Sequence, residues 1–462
     1  MAPRLRVRSS VVRLVNLWDS LRSSFWFLPT LFTGAAVGLA VGLLALDRRA
    51  GLEELAESRW LYAGGPEGAR SLLSAVAGSI VNVVALAFSI TIVSLQLASA
   101  QLGPRLLRNF VRDRGNQVVL GTFVATFVYC LLVLRTVRGG EGIADSAFVP
   151  HLAVTGAVAL ALLSIGLLIY FIHHASTSIQ ADRVIAAVAT DLEGAIDTLF
   201  PEPLGHAPPA ADRAPAPAGG IEAGAAVAAT THGYISSIDG DTVLEAAGEA
   251  DVLIRLAHRP GEFVIAGEPL AHVVPSERLD DRLARRVVRA FVVGSERTLI
   301  QDTFFGFEQL VEIATRALAS NHIDPTTALR CIDRLAAAVA GVSQRRLPSP
   351  CRRDTDGIVR VVAPAPTIRD FVGAAFTAIR LQGSGNRTVA LHLLETFERL
   401  AALRGRRDLH VALLDEAVAI RRAATRALDE GRDREAVDEA FERLLASMDP
   451  DVRGIYNGRA AA

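Results

Sequence analysis

Four apolar runs without Asp, Glu, Lys or Arg, at residues 25–46, 71–98, 118–134 and 149–172, predict helices of membrane-spanning length. A helix rising about 1.5 Å per residue needs roughly 20 residues to cross a hydrocarbon core about 30 Å thick. The second run, SLLSAVAGSIVNVVALAFSITIVSLQLA, carries a further pattern. At about 100° per residue, Ser71, Asn82, Ser89 and Gln96 fall within about 40° of one another, and Ala75, Gly78 and Ala85 lie on the same strip. One face is small and polar; the remainder is mainly Val, Leu, Ile and Phe. An amide facing lipid without a partner costs several kcal/mol, so this face is expected to turn toward protein or water. Two readings stay open: a tight seam between helices, or a stripe lining a water-filled path. Either way the second run is expected to face inward, with the other spans around it.

Past the fourth run the apolar positions do not stop. Ile185, Val188, Leu192, Ile196 and Leu199 recur at helical spacing among polar residues, predicting a cytoplasmic stalk helix over 175–200. Residues 201–220, PEPLGHAPPAADRAPAPAGG, are a Pro- and Ala-rich linker with almost no large apolar side chain. The pattern then shortens to strands at 230–238, 251–256, 263–265 and 270–274, separated by Asp-Gly-Asp, Arg-Pro-Gly and Gly-Glu-Pro turns. From 280 the helical period returns. A helix beginning at Arg297 is expected to bury Ile300, Phe304, Phe307, Val311 and Leu318, and Asp324-Pro325 supplies an N-cap and an N1 proline for the next. Further helices are expected at 367–381, 388–403, 409–429 and 434–448. The fold class is therefore a membrane α-helical part of four transmembrane helices plus a cytoplasmic α+β domain. Its divisions are a basic N-terminus (1–24), the transmembrane part (25–174), the stalk, the linker, a small β-rich subdomain (221–278) and an α-helical subdomain (279–462).

Composition agrees with a membrane part joined to a soluble one: 462 residues, 51% hydrophobic, with 21% charged. A net charge of −1 gives no sign of a nucleic-acid partner. Residues 4–22 carry five arginines against Asp19, and the segment between spans two and three carries Arg105, Arg108, Arg112 and Arg114 against Asp113. Such arginine-dense flanks mark the cytoplasmic side, which puts both termini in the cytoplasm of a bacterial inner membrane. The segment 103–113, GPRLLRNFVRD, reads as a short amphipathic helix whose arginines suit anionic headgroups, or as the frayed end of span two.

All 48 basic residues are arginine, and the absence of lysine excludes a phosphate-loop lysine, a Schiff base and lipoyl or biotinyl attachment. The piece RPGEFVIAGEPLAHV has the look of a lipoyl-type barrel, but only as architecture. Cys130, Cys331 and Cys351 show no metal-ligand spacing. HExxH, GxSxG and CxxC motifs are missing, so no catalytic set, cofactor or metal is expected. His173 and His174 are adjacent on one helix and point about 100° apart, which argues against joint ligation of one ion. Arg297, Gln301, Asp302, Glu308 and Glu312 form a polar cluster that can hold the helix against the strands, present an acid–base pair, or simply be solvated.

The stretches SIVNVVALAFSITIVSLQLASAQLGPRLLRNFVRD, GYI, RPGEFV, RTLIQDTFFGFEQLVEIATRAL and IDPTTALRCIDRL together resemble a bacterial family of predicted membrane proteins, domain-of-unknown-function family twenty-two fifty-four. The resemblance runs from Ser24 to about Ile379; residues 319–325 keep the Asp-Pro of the family's turn and depart before it. It implies membrane location and no defined activity. The residues lead to a homo-oligomeric channel-like or passive transport protein with a cytoplasmic regulatory domain. In that reading Ser71, Asn82, Ser89 and Gln96 line a pore or helix seam, and Arg105, Arg108 and Arg112 lie at its inner mouth or on lipid headgroups. The alternative is a non-conducting membrane-anchored module that senses a ligand or scaffolds proteins. Expected partners are the bilayer, further copies of the chain and a small ion or ligand.

Overall fold

The computed structural model describes residues 26–49, 62–102, 114–139, 148–178, 181–200, 224–319, 324–403 and 406–461. The chain divides into two compact units, Met1–Gln180 and Ala181–Ala462. Among the described residues, the first unit holds four helices long and apolar enough to cross a membrane: α1 (Phe27–Arg49), α2 (Pro66–Leu102), α3 (Arg114–Leu134) and α4 (His151–Ser178). The basic N-terminus, the 201–220 linker and the arginine-rich segment with Arg105, Arg108 and Arg112 lie outside the described residues.

The inner helix is α3, not α2. In α3, 61% of the apolar window is buried, against 17% in α2. Val119, Phe123, Thr126, Tyr129 and Val133 are all enclosed, and α3 packs on each of the other three helices. Gly121 lets α1 approach closely, since a Cβ there would stand 3.1 Å from the Pro29 Cα. Thr126 donates to the Thr122 carbonyl at 2.8 Å, which leaves its oxygen to accept from Ser164 of α4 at 3.1 Å. Tyr129 donates its hydroxyl to the Ala153 carbonyl at 2.8 Å. These partners make a polar-containing helix tolerable in an apolar interior.

The second unit begins with α5 (Ala181–Leu199), which lies against α8 (Thr303–Ala319) and α9 (Pro325–Ser343) rather than standing free as a stalk. Its amphipathic face buries Ile185, Val188, Leu192 and Ile196, and a Cβ on Gly306 of α8 would stand 2.9 Å from the Leu192 side chain. Arg330 and Arg345 tie the exposed side through Asp182 and Asp197.

Eight strands follow among the described residues: β1 (Ala225–Ala228), β2 (Gly233–Ile238), β3 (Leu253–Leu256), β4 (Phe263–Val264), β5 (Pro269–Val274), β6 (Phe291–Gly294), β7 (Cys351–Arg353) and β8 (Val359–Val362). They form a five-stranded sheet, β1-β5-β3-β8-β7, and a three-stranded one, β4-β2-β6. One core of Ile235, Val243, Ile254, Val273, Val287 and Val361 serves both sheets. Three features depart from expectation, the first being β1, which lies ahead of the expected strand at 230–238. Asp239 begins a helix, α6 (Gly240–Glu249), because its carboxylate accepts from the Thr242 N–H at 3.1 Å and Val243, Ala246 and Ala247 can be buried. Strands β6, β7 and β8 come from the region read as purely helical, and β8 runs parallel to β3, so pairing crosses the expected 278/279 boundary. Each of the three has at most four residues, too few for alternation to show.

After α7 (Asp281–Ala290), the helical part comprises α8, α9, α10 (Ile368–Gly383), α11 (Arg387–Ala401), α12 (Arg407–Ala427), α13 (Gly431–Ser447) and α14 (Pro450–Ala461). Asp324 caps α9 and Pro325 occupies its first turn, as the sequence indicates. Thr367 and Asp370 form a reciprocal capping box on α10. Phe371 joins three helices: it stacks on Phe304 at 4.7 Å between centroids and meets Phe200, which follows α5, edge-on at 6.0 Å.

Candidate functional site

The polar stripe of α2 is turned outward. Ser71, Ala75, Gly78, Asn82, Ala85, Ser89 and Gln96 are all exposed in the single chain. The opposite side of the helix, about 180° around, carries the buried Leu73, Ala77, Ile80, Ala87 and Ser94. That side packs on α3 and α4. The seam within the chain is therefore built from Leu, Ile and Ala with one serine, and the amides have no part in it. Asn82 and Gln96 stand on a face also carrying Val81, Leu86, Ile92 and Val93, which are 45–52% exposed. The arrangement is a helix with one side committed to its own bundle and a hydroxyl- and amide-bearing strip on the other.

In the second unit, Arg297, Gln301 and Asp302 precede α8 instead of lying on it. The helix starts at Thr303 because Asp302 caps it, its Oδ1 accepting from the Phe305 N–H at 3.2 Å. Ile300, expected in the apolar face, is 53% exposed in the preceding turn. Asp302 is 3% exposed and meets the Arg297 guanidinium at 2.8 and 2.7 Å, while the same guanidinium reaches Glu308 at 2.6 Å. Burial pushes the Asp302 carboxyl above the usual carboxylate range, against the pull of Arg297 and the Phe305 N–H. For Arg297 desolvation opposes the charge, but its bonds to Glu308 and Asp302 prevail and hold the proton more tightly.

Gln301 acts on the other side. Its amide accepts from the Ile238 N–H at 2.9 Å and donates to the Ile238 carbonyl at 3.3 Å, extending β2 by one side chain. Gly261 of the Arg-Pro-Gly turn has φ +92° and abuts the Asp302 carboxylate so closely that a Cβ would overlap it. Arg259 of that turn sits over Phe304 at 5.3 Å and bonds Glu262 at 3.2 Å. Arg297, Gln301 and Asp302 thus fasten the start of α8 to β2 and the turn before β4. Glu308 joins through Arg297; Glu312 pairs with Arg316 at 3.2 Å and is not part of the cluster. Asp333 lies with His392 and Arg399 between α9 and α11. The carboxylates do not converge on one point, which leaves the cluster the geometry of a clamp rather than an acid–base pair.

Sequence reading missed Gly261 and Arg259 as members of this clamp, although the Arg-Pro-Gly turn was visible. A turn residue announces its conformation and not its neighbour. Among the described residues, no group of three His, Cys, Asp or Glu side chains is placed to hold a metal ion. His174 stacks on Tyr170 at 5.4 Å near the end of α4.

The comparison with protein families decides the classification. The family described as Predicted membrane protein (DUF2254) matches residues 22–399, which take in all four apolar helices, both sheets and the clamp. The chain belongs to this family. The chain is similar to uncharacterized proteins of Mycobacterium bovis and Mycobacterium tuberculosis, each 34% identical over 445 residues, covering 94% of this chain and 82% of the relative. No solved structure matches the chain. The DUF2254 match ends within α11, so α12, α13 and α14 lie beyond it.

Proposed function

We propose that this DUF2254 protein is a homo-oligomeric, channel-like membrane protein in which α2 lines a passive path and the second unit regulates it. One observation carries the reading: Ser71, Asn82, Ser89 and Gln96 form a strip exposed on the outside of a helix that has no charged residue from 71 to 98. Left against acyl chains, each amide loses its hydration with nothing in return, a cost of several kcal/mol. Copies arranged about an axis with these strips facing it convert the cost into rings of oxygens and amides that replace part of an ion's water shell. With the arginine-dense flanks cytoplasmic, Arg105, Arg108 and Arg112 add positive charge at the inner end and favour anions there. The bacterial inner membrane is the location that fits this orientation.

The test is flux through liposomes reconstituted with the full chain. The proposal predicts anion leak above that of empty vesicles, abolished by replacing Asn82, Ser89 and Gln96 with leucine. Leak equal in the wild type and this triple variant contradicts it.

A second reading, a non-conducting anchor that senses a ligand or scaffolds proteins, draws support from the second unit's own apolar cores and closed clamp. It predicts no leak from either protein.

A further inference from the structure

A cavity of about 580 Å³ opens in the first unit where α1 and α3 both reach their C-terminal ends. Its wall along α1 is apolar, with Val37, Val41 and Leu44, and its rim carries Arg48, Arg135 and Arg138. From Val37 to Arg48 is eleven residues, about 16 Å of helix and so about the depth of one bilayer leaflet.

The three guanidiniums form no ion pair with any described residue. Asp47, next in sequence to Arg48, is committed elsewhere: its two oxygens accept from the Leu152 and Ala153 N–H groups, each at 3.0 Å, capping α4. The rim is held in place. Arg138 and Phe148 exchange backbone hydrogen bonds, both 3.2 Å, and Arg48 lies 5.9 Å from the centre of the Phe148 ring. A single polar residue, Thr136, stands between the arginines, and its hydroxyl donates to the Val133 carbonyl.

We propose that this cavity binds one anionic glycerophospholipid, with the headgroup phosphate held by Arg48, Arg135 and Arg138 and an acyl chain laid along Val37, Val41 and Leu44. Charge and shape both select that occupant. Three cations with no ion-pair partner among the described residues call for a net negative headgroup, which guanidinium forks bind through paired N–H groups. The apolar wall beneath them suits a hydrocarbon chain and offers a free anion nothing. A zwitterionic lipid brings its own cation to the same rim and is disfavoured. The inference stands on the four helices lying in a bilayer; it needs neither the oligomer nor the pore.

Native mass spectrometry of the full-length protein in detergent, titrated with phosphatidylglycerol or phosphatidylcholine of the same acyl chains, tests it. The wild type should prefer phosphatidylglycerol by about tenfold or more, given the usual strength of an arginine–anionic lipid contact. The triple change Arg48→Gln, Arg135→Gln and Arg138→Gln should erase the preference, and the matching triple change to lysine should keep most of it. Val41→Trp, which fills the wall, should weaken phosphatidylglycerol binding without lowering the unfolding temperature of lipid-free protein. Equal binding of the two lipids by the wild type, or an unchanged preference in the glutamine variant, overturns the proposal. Displacement of the bound lipid by inorganic phosphate, with Val41→Trp binding as well as wild type, overturns it too and assigns a free-anion site.

Discussion

Asp302 is where the charge chemistry of the second unit is most constrained. Its carboxylate caps α8, takes two bonds from Arg297 and blocks any side chain at Gly261. Removing one member of a buried ion pair leaves an uncompensated charge, at a cost of about 3–5 kcal/mol. Asp302→Ala should therefore expose the first turn of α8 and the 258–262 turn to hydrogen exchange, whereas Glu308→Gln, at a half-exposed position, should change little. Gly261→Ala should resemble Asp302→Ala, since φ +92° and the missing space both penalise a Cβ. The sequence showed Arg297, Gln301 and Asp302 as a polar group near strands, and that part was legible. Its attachment to Gly261 was not, because those residues are forty positions apart and meet only in the folded chain.

A second charge group contributes to the acid sensitivity. Asp251, two residues before the central strand β3 of the five-stranded sheet, bonds Arg278 and Arg360, and Arg360 also holds Asp354. These bonds hold the Asp251 and Asp354 carboxyls below the usual range. A carboxylate whose folded pKa lies below its unfolded one stabilises the fold above the unfolded value, near 3.9, and the contribution is lost as pH falls through the folded one. Thermal unfolding of the full protein should therefore lose less between pH 7 and about pH 3 in the Arg278→Met, Arg360→Met variant than in the wild type.

At the scale of the element, α2 has two faces of opposite duty. Ala87 is fully enclosed against α3, while Ala85, two positions earlier, is exposed on the polar side. Ala87→Phe should overpack the bundle, costing about 1–3 kcal/mol and reducing the yield of folded protein. Ala85→Phe should leave the single-chain fold intact and alter only what meets that face, read as a change in mass in mild detergent. The four long helices and α9 to α13 were legible from apolar periodicity, because each runs more than fourteen residues with a clear face or none. α6 was not. Its buried side consists of Val243, Ala246 and Ala247, a small signal beside an Asp-Gly-Asp that equally suits a turn.

For the whole molecule, the division at residue 180 separates two units with their own cores. Residues 181–462 expressed alone should fold cooperatively with helix and strand signals intact; a fragment starting at 221 lacks α5 and exposes the α8–α9 surface where Leu192 packs, and should be less stable. That α5 belongs to this unit was not readable from its sequence, which fixes an amphipathic face but not the surface that receives it. Which helix lies inside the first unit was unreadable for a related reason: Thr122 and Thr126 in α3 were quieter than the amides of α2, yet they are the enclosed ones. The claim on which the function rests is that the α2 strip meets another copy of the chain. Cysteines at Asn82 and Ser89, introduced singly after replacing Cys130, Cys331 and Cys351, can be oxidised in native vesicles beside a control at Ile165, an exposed residue of α4. Each variant has one thiol per chain, so the expected product is a disulfide-linked dimer at positions 82 and 89 and none at 165; monomers at all three would contradict it.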